Sequence, residues 1–192
     1  MSFKVAKISS DNELLEISKL HQRNLYWTLN SRMGITHLNN IYQITAEHSK
    51  SVVLGSFEKN RCIGSVSLTW NYSSLKLNIQ RKSWRTFLGY FLMKPGSFVK
   101  EVIAYKKMSA LAPELINSAY LLTCFVDKDF RNRGVARSLV HQSLEHLPEN
   151  TKWLIVDVDF EARGGREFYE RCGFKLWFKG TESSILVWEL EK

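Results

Sequence analysis

The sequence predicts a single α/β domain, and three observations support this fold class. The 192 residues are enough for one sizeable core and few for two. Short apolar or alternating runs, typical of strands, recur between amphipathic stretches typical of helices. Near the centre, an apolar run at 120–126 leads into a loop and then into an amphipathic pattern at 136–147. Strand, turn and helix are expected there, and residues 1–192 are expected to form one unit.

The first third of the chain predicts a strand, two helices and a hairpin. The predicted strands, which alternate or are rich in β-branched residues, are residues 3–8, 51–57 and 61–70. The predicted helices are residues 13–24, preceded by N-cap residues at 9–12, and residues 36–48, with a break at 30–34. Three polar residues, 58–60, join the second and third strands as a tight turn.

The last third predicts a strand, a helix and a closing hairpin after the central helix. The predicted strands are residues 152–158, 174–179 and 184–189, and the predicted helix is 161–171. Alternation is clearest in the final strand, where Ile185 and Val187 share one face.

A basic, aromatic-rich segment at about 71–118 separates the first predicted hairpin from the central strand. The net charge of the chain is +8, and residues 71–110 hold eight Lys or Arg and one Glu, which leaves +7 there. Stretches 82–93 and 98–108 predict a helical pair. The segment could cover an acceptor site, lie on an anionic membrane surface or bind nucleic acid, or its aromatic residues could simply be core. Nucleic acid is the least favoured partner, since no reader motif accompanies the charge.

The composition indicates which kinds of site and which cellular compartment to expect. The three cysteines are widely spaced, without a Cys-x-x-Cys pair, so neither a disulfide framework nor a zinc site is expected. We expect no metal. The N-terminal residues lack the apolar stretch of a signal peptide, and no apolar run is long enough to span a bilayer. A cytoplasmic protein in a reducing compartment is expected.

The loop after the central strand predicts a site for a phosphorylated cofactor. It reads Arg131-Asn132-Arg133-Gly134-Val135-Ala136. A loop of this kind at a helix N-terminus directs backbone N–H groups outward at the positive end of the helix dipole, which suits a pyrophosphate. The backbone of 133–136 is the main expected binding element, and the arginines add charge.

Two motifs together resemble the GCN5-related N-acetyltransferase (GNAT) superfamily. The first is Arg-x-x-Gly-x-Ala at 131–136, placed between a strand and a helix, and the second is Tyr-x-x-x-Gly-Phe at 169–174. The resemblance implies a central mixed, mostly antiparallel sheet with helices on both faces. The 71–118 segment then becomes a helical insertion between strands 3 and 4.

The resemblance also implies an activity and several site residues. The expected reaction moves an acetyl group from acetyl-CoA, the co-substrate, to a primary amine of a small molecule, an amino sugar or similar, by direct attack in a ternary complex. Backbone groups near Phe125 and Val126 would hold pantetheine and the thioester, and Tyr169 would protonate the leaving thiolate. An inactive CoA-binding module, or an adaptor that uses the basic segment, remains the alternative.

The general base is less evident in the sequence. Along residues 153–160 the two-residue period puts Asp157 and Asp159 on one face. Neighbouring carboxylates raise each other's pKa, which makes Asp157 a candidate proton acceptor. Both residues could instead be solubilising surface groups. The acceptor's identity, the oligomeric state and any lipid-linked or membrane partner are not determined by these patterns.

Overall fold

The computed structural model describes residues 3–96, 115–162 and 164–190, and its centre is a seven-stranded sheet in the order β1-β2-β3-β4-β5-β7-β6. The strands are β1 (Lys4–Lys7), β2 (Ser51–Glu58), β3 (Arg61–Thr69), β4 (Ser118–Val126), β5 (Trp153–Asp159), β6 (Lys175–Lys179) and β7 (Ser183–Glu189). The helices are α1 (Asp11–Asn24), α2 (Leu29–Arg32), α3 (Ile35–Glu47), α4 (Tyr72–Met93), α5 (Val135–Leu144) and α6 (Gly165–Cys172), and a 3₁₀ turn spans Lys128–Phe130.

The sheet is mixed and mostly antiparallel, which confirms the predicted fold class. Only β4 and β5 pair in parallel; the other five neighbouring pairs are antiparallel. The β2–β3 hairpin turns at Lys59 and Asn60, both with positive φ, as the twist of a two-residue hairpin requires. Parallel strands need a crossover, and α5 supplies it between β4 and β5.

Helices cover both faces of the sheet, as predicted. On one face Leu139 of α5 and Tyr169 of α6 belong to a core with Leu54 and Val66 of the central strands. On the other face Ile17 of α1 and Tyr42 of α3 pack with Val53 of β2 and Phe125 of β4. The side chains of β4 therefore alternate between an α5/α6 face and an α1/α3 face, and this alternation arranges the site described below.

Several helix boundaries differ from the prediction. The predicted break at 30–34 contains a one-turn helix, α2, because the Thr28 hydroxyl caps it by accepting from Ser31 N. The central helix ends at Leu144, three residues early, since residues 145–147 donate to carbonyls three residues back and tighten the last turn. The helix predicted at 161–171 is α6, and it starts four residues later than predicted, at Gly165. The Asp159 carboxylate accepts from Glu161 N and forms a turn at the predicted start.

The insertion helix α4 is longer than predicted. It begins at Tyr72, ten residues before the predicted start, and the Asn71 side chain caps it by accepting from Ser74 N at 3.1 Å. The polar first turns and a narrow buried stripe, Leu75, Ser83 and Tyr90, explain why periodicity did not predict the start. The predicted helix at 98–108 lies outside the described residues.

No helix within the described part of the chain combines the length and hydropathy needed to cross a bilayer.

Candidate active site

The site is organised by the separation of β4 from β5. The two strands pair from Ser118 to Leu121, against Trp153 to Val156, and then diverge although both continue. The pairing of β4 with β3 skips Leu122, so a β-bulge lies at the point of divergence. A bulge bends its strand and increases the local twist. A V-shaped opening therefore lies in the middle of the sheet, bordered by residues 122–126 and 157–159.

The loop that follows β4 directs backbone N–H groups outward. Asn132 and Gly134 adopt positive φ values, 61° and 79°, which are accessible to asparagine and glycine at low cost. The first α-helical bond of α5 runs from Ser138 N to Gly134 O. The N–H groups of Val135 and Ala136 precede that bond and have no carbonyl acceptor one turn back in α5. This is the geometry of an anion site at a helix N-terminus.

The two arginines of the loop have different partners. Arg131 donates from Nε to the Val126 carbonyl at 3.2 Å and from Nη2 to Asn24 Oδ1 at 3.1 Å, which ties the loop to the end of α1. The guanidinium of Arg133 lies 5.0 Å from the Phe130 ring centre, within cation–π distance. Arg131 therefore fixes the position of the loop, and its expected phosphate contact stays a prediction.

The far end of β4 also depends on a close backbone approach at Gly64 of β3. A Cβ at this position would lie 2.9 Å from the Phe125 carbonyl oxygen and 3.2 Å from Val126 Cγ2. A backbone atom cannot move aside as a flexible side chain can. Glycine at residue 64 thus lets β3 approach the two β4 residues, Phe125 and Val126, for which the sequence predicts pantetheine contact.

Tyr169 lies beneath the opening on the α5/α6 face. Its ring makes edge contacts with Phe168 and Phe174, at centroid distances of 5.0 and 5.3 Å, and only 7% of the residue is exposed. Burial raises the pKa of Tyr169 well above its usual value of 10, and Cys124 and Cys172 lie close enough to add to the increase. The phenol keeps its proton at neutral pH, as a proton donor must.

Cys124 projects to the same face as Tyr169, from the diverging part of β4. Burial, with a smaller contribution from Cys172, raises the pKa of the Cys124 thiol to about 12. A thiol with this pKa is protonated at neutral pH and is a poor nucleophile. The chemistry of Cys124 thus does not favour an acetyl-cysteine intermediate.

Asp157 lies on the opposite, α1/α3 face, immediately past the last β4–β5 pair. Its neighbours Val156 and Val158 pack under α5 and α6, so the Asp157 carboxyl points the other way and is solvent-exposed. Desolvation at the sheet surface raises its pKa, a hydrogen bond with Ser183 opposes the increase, and the Asp159 carboxylate adds to it. The expected pair of carboxylates on one face is thus present, at the edge of the opening.

Sequence reasoning did not find a group of polar side chains on the same face. Ser67, Thr123, Tyr42 and His21 form a continuous series of hydrogen bonds from β3 and β4 to α3 and α1. Residues 42 and 123 are 81 positions apart, so no local pattern could have indicated the contact. The sequence offered one indication of this group: each of the four side chains is polar and lies next to an apolar residue in the sequence.

Within residues 3–96, 115–162 and 164–190, no three His, Cys, Asp or Glu side chains lie close enough together to form a metal site.

Replacing Gly134 by valine tests the loop. The L-residue penalty for positive φ is about 1–2 kcal/mol, and no atom lies within 4 Å of a Cβ at this position, so the effect should come from the altered loop backbone. We expect G134V to weaken CoA binding at least tenfold in calorimetry. The control is G89A, since Gly89 also has open space around it but lies in α4 with ordinary φ. Unchanged CoA affinity in G134V would contradict the assignment.

Comparisons with known proteins agree with this geometry. Residues 14–174 match the acetyltransferase (GNAT) family. An uncharacterized N-acetyltransferase of Methanocaldococcus jannaschii is 30% identical over 112 residues, which cover 52% of this chain and 49% of the relative. This chain thus aligns with about half the length of that curated relative.

Solved structures share the fold along nearly the whole chain. The PaiA N-acetyltransferase of Thermoplasma acidophilum, solved in complex with coenzyme A, superposes with a TM-score of 0.65 at 14% identity, and the match covers 99% of this chain and all of that one. Arabidopsis thaliana NAA60 in complex with acetyl-CoA gives 0.62 at 12% identity, covering 98% and 99%. At these identities the likeness concerns the fold. With a family match over most of its length, the chain belongs to the GNAT family of acetyltransferases.

Proposed function

We propose that the protein transfers an acetyl group from acetyl-CoA to a primary amine of a small molecule, by direct attack in a ternary complex. The observation that carries this proposal is the opening between β4 and β5 past Leu121 and Val156. At its end lies the N-terminus of α5 for the pyrophosphate, and a protonated Tyr169 lies beneath it. A thioester placed in such an opening can be approached from either face of the sheet.

The donor occupies the loop and the end of β4 in this proposal. The N–H groups of Val135 and Ala136 hold the pyrophosphate, in a loop shaped by Asn132 and Gly134, and Arg133 adds positive charge. Backbone groups of Phe125 and Val126 hold the pantetheine arm. β4 stays paired with β3, but its edge toward β5 is free past Leu121, and hydrogen bonds from that edge to the thioester oxygen stabilise the negative charge that develops there.

Tyr169 and Asp157 carry the protons from opposite faces. The amine nitrogen attacks the thioester carbon, the new C–N bond forms, and the C–S bond breaks. Tyr169 donates its proton to the departing sulphur on the α5/α6 face. Asp157 accepts a proton from the amine on the α1/α3 face, where its raised pKa makes it a better base than an ordinary carboxylate. The thiol form of Cys124 supports direct attack over a two-step route.

The charge around the opening supports a cationic acceptor. Asp157 and Asp159 are both exposed on the acceptor face. Alkyl amines have a pKa near 10 and approach as ammonium ions at neutral pH, so two carboxylates attract them. The ammonium ion releases one proton to solvent before its nitrogen can attack, and Asp157 takes the proton that leaves as the amide forms. Amino sugars and similar small amines fit this requirement.

Release of CoA tests the proposal directly. Wild-type protein is incubated with acetyl-CoA and with glucosamine, spermidine, lysine or a heptapeptide with a free N-terminus, and free thiol is measured. Turnover with one of the first three supports a small-molecule acceptor, and turnover with the peptide alone would redirect the proposal to protein amines. Thermal stabilisation by acetyl-CoA without turnover would identify an inactive CoA-binding module. The absence of both thermal stabilisation and turnover would contradict the enzyme assignment.

A second role is favoured by the outer face of α4. Trp84 and Leu88 are 54% and 48% exposed, and Leu77 and Leu92 continue the stripe at helical spacing. The Arg85 guanidinium lies 5.4 Å from the Trp84 ring centre. An apolar stripe beside arginines complements an anionic membrane surface, where the apolar side chains enter the interface and the cations meet lipid headgroups. We propose peripheral contact with such a surface, which would also present a lipid-linked acceptor.

Vesicle sedimentation tests this contact. Wild-type protein should bind vesicles that contain about 30% anionic lipid more strongly than neutral vesicles, and binding should fall as salt rises. The variant W84S/L88S should bind at least tenfold more weakly, because each buried side chain contributes about 1.5–3 kcal/mol. The matched control is L176S, which removes an exposed apolar residue of β6. Equal binding of the double variant and wild type would exclude α4, and salt-independent self-association would indicate a protein partner instead.

A further inference from the structure

Four side chains on the α1/α3 face form what we call the polar chain: Ser67, Thr123, Tyr42 and His21. Ser67 Oγ lies 2.7 Å from Thr123 Oγ1, Thr123 Oγ1 lies 3.4 Å from Tyr42 Oη, and Tyr42 Oη lies 2.7 Å from His21 Nδ1. The four residues come from β3, β4, α3 and α1, so the polar chain links the centre of the sheet to both helices on this face.

Thr123 is where the polar chain reaches the opening. Ser67, Tyr42 and His21 are each at most 4% exposed, whereas Thr123 is half-buried. Thr123 directly follows the bulge at Leu122 and directly precedes Cys124, whose side chain points to the Tyr169 face. Its hydroxyl therefore lies beside the proposed thioester position, on the face opposite to the proton donor. A nucleophile that enters from the α1/α3 side passes this hydroxyl.

The buried members of the polar chain are uncharged at neutral pH. Burial lowers the pKa of His21 to about 4, and it raises the pKa of Tyr42 far above its usual value. A neutral imidazole with this pKa is a poor terminal proton store. The polar chain is therefore suited to orienting hydroxyl groups, and proton removal is left to Asp157 on the other side of the opening.

The geometry leaves Thr123 able to accept one more hydrogen bond. A hydroxyl has one donor and two acceptor positions. If Tyr42 donates to His21 Nδ1, Thr123 donates to Tyr42 and accepts from Ser67; if His21 donates, Thr123 accepts from Tyr42 and donates to Ser67. In these two arrangements, in which every hydroxyl donates in the same direction along the polar chain, Thr123 uses its donor and one acceptor position, and one lone pair of Oγ1 remains. The side chain is held from two sides.

We propose that Thr123 binds the amino group of the acceptor through this lone pair, and that Tyr42 and His21 are positioning residues that hold the Thr123 hydroxyl. The inference rests on the proposed function, because it names the group that receives the amine of that reaction. One amine N–H is donated to Thr123 and another faces Asp157, which directs the nitrogen lone pair toward the thioester carbon between them. A substrate without an N–H donor would lose this contact.

Binding of amines to the CoA complex tests the inference without requiring turnover. Protein saturated with CoA is titrated in a calorimeter with glucosamine, spermidine, lysine or the heptapeptide, for wild type and for the variants T123V, T123S and Y42F. T123V keeps the shape and β-branching of threonine but lacks the hydroxyl, and should weaken amine binding about tenfold, as the loss of one hydrogen bond of about 1.4 kcal/mol predicts. T123S restores the hydroxyl and should recover most of the affinity. Affinity for CoA should stay within about twofold in every variant.

A double variant separates positioning from general destabilisation. Since Tyr42 acts through Thr123, T123V/Y42F should bind amines no more weakly than T123V alone, whereas independent effects would multiply. Thermal unfolding is recorded in parallel, and a purely structural role would lower stability and CoA affinity together. The inference is overturned if T123V binds amines like wild type, if the two substitutions act independently, or if the wild-type CoA complex binds none of the four amines. Thr123-dependent amine binding without acetyl transfer would uphold it while the proposed function fails.

Discussion

Replacement of Tyr169 by phenylalanine is expected to lower the rate of acetyl transfer by about 10²- to 10³-fold while acetyl-CoA still binds. General acid catalysis contributes about 10²- to 10⁴-fold, and phenylalanine cannot supply a proton to the departing thiolate. The ring contacts with Phe168 and Phe174 do not involve the hydroxyl, so the core around α6 should keep its packing. The loss should therefore be in kcat, with little change in KM for acetyl-CoA.

Single-turnover measurements at saturating acetyl-CoA isolate the chemical step from product release. The matched control is Y72F, because Tyr72 stacks on Tyr120 at 4.8 Å, away from Tyr169, and the stack does not require its hydroxyl. Y72F should transfer acetyl groups at the wild-type rate. If Y169F keeps the wild-type single-turnover rate, Tyr169 is a packing residue and the thiolate is protonated by another group.

Asp157→Asn is expected to lower kcat/KM about 10²-fold and to remove one feature of its pH dependence. A base works in its deprotonated form, so wild-type activity should rise with pH as the Asp157 carboxyl ionises. Because desolvation raises its pKa, the rise should lie at higher pH than for an ordinary carboxyl of pKa 3.8. In D157N this rise disappears, and the increase that remains follows ionisation of the acceptor amine itself.

Asp159→Asn is the control on the same strand and face. Asp159 adds to the raised pKa of Asp157 by repulsion, so its neutralisation should move the rise in activity to lower pH and preserve the plateau rate. Each asparagine variant removes one negative charge from the same face of β5, and asparagine at residue 159 can still accept from Glu161 N. The comparison therefore separates proton acceptance from general loss of negative charge. Equal pH profiles for wild type and D157N would exclude Asp157 as the base.

Local motifs were enough to predict the loop and the helix N-terminus to which donor binding is assigned in the proposal. A glycine with positive φ before an amphipathic helix has a direct signature in sequence, and Gly134 had it. The helix that carries Tyr169 was predictable for the same reason, because Gly173 directly follows α6 and ends it. The role of Tyr169 stays a prediction. The mixed, mostly antiparallel character of the sheet came from the resemblance to the family, since pairings such as β5 with β7 have no local signature.

Contacts between residues that are distant in sequence could not be predicted, either at the loop or on the α1/α3 face. Arg131 was expected at a phosphate, but Asn24, 107 positions away, takes one of its hydrogen bonds. The polar chain depends on α1 and α3 packing over the bulge of β4, and a bulge leaves no mark in hydrophobic alternation. The start of α4 was missed for a different reason: its first turns are held by a side-chain cap at Asn71 and bury few residues.

The parallel pairing of β4 with β5 joins two groups of strands: β1 to β4 on one side, and β5, β7 and β6 on the other. Only four residue pairs form this seam, from Ser118 to Leu121. Beyond the seam, the backbone groups that β4 and β5 direct toward each other must be paired by water or by a bound molecule. A pantetheine arm inserted there would complete the sheet as a short extra strand does. The free energy of donor binding is then partly free energy of cohesion between the two half-sheets, so substitutions that loosen the seam should cost donor affinity even where they touch no donor atom.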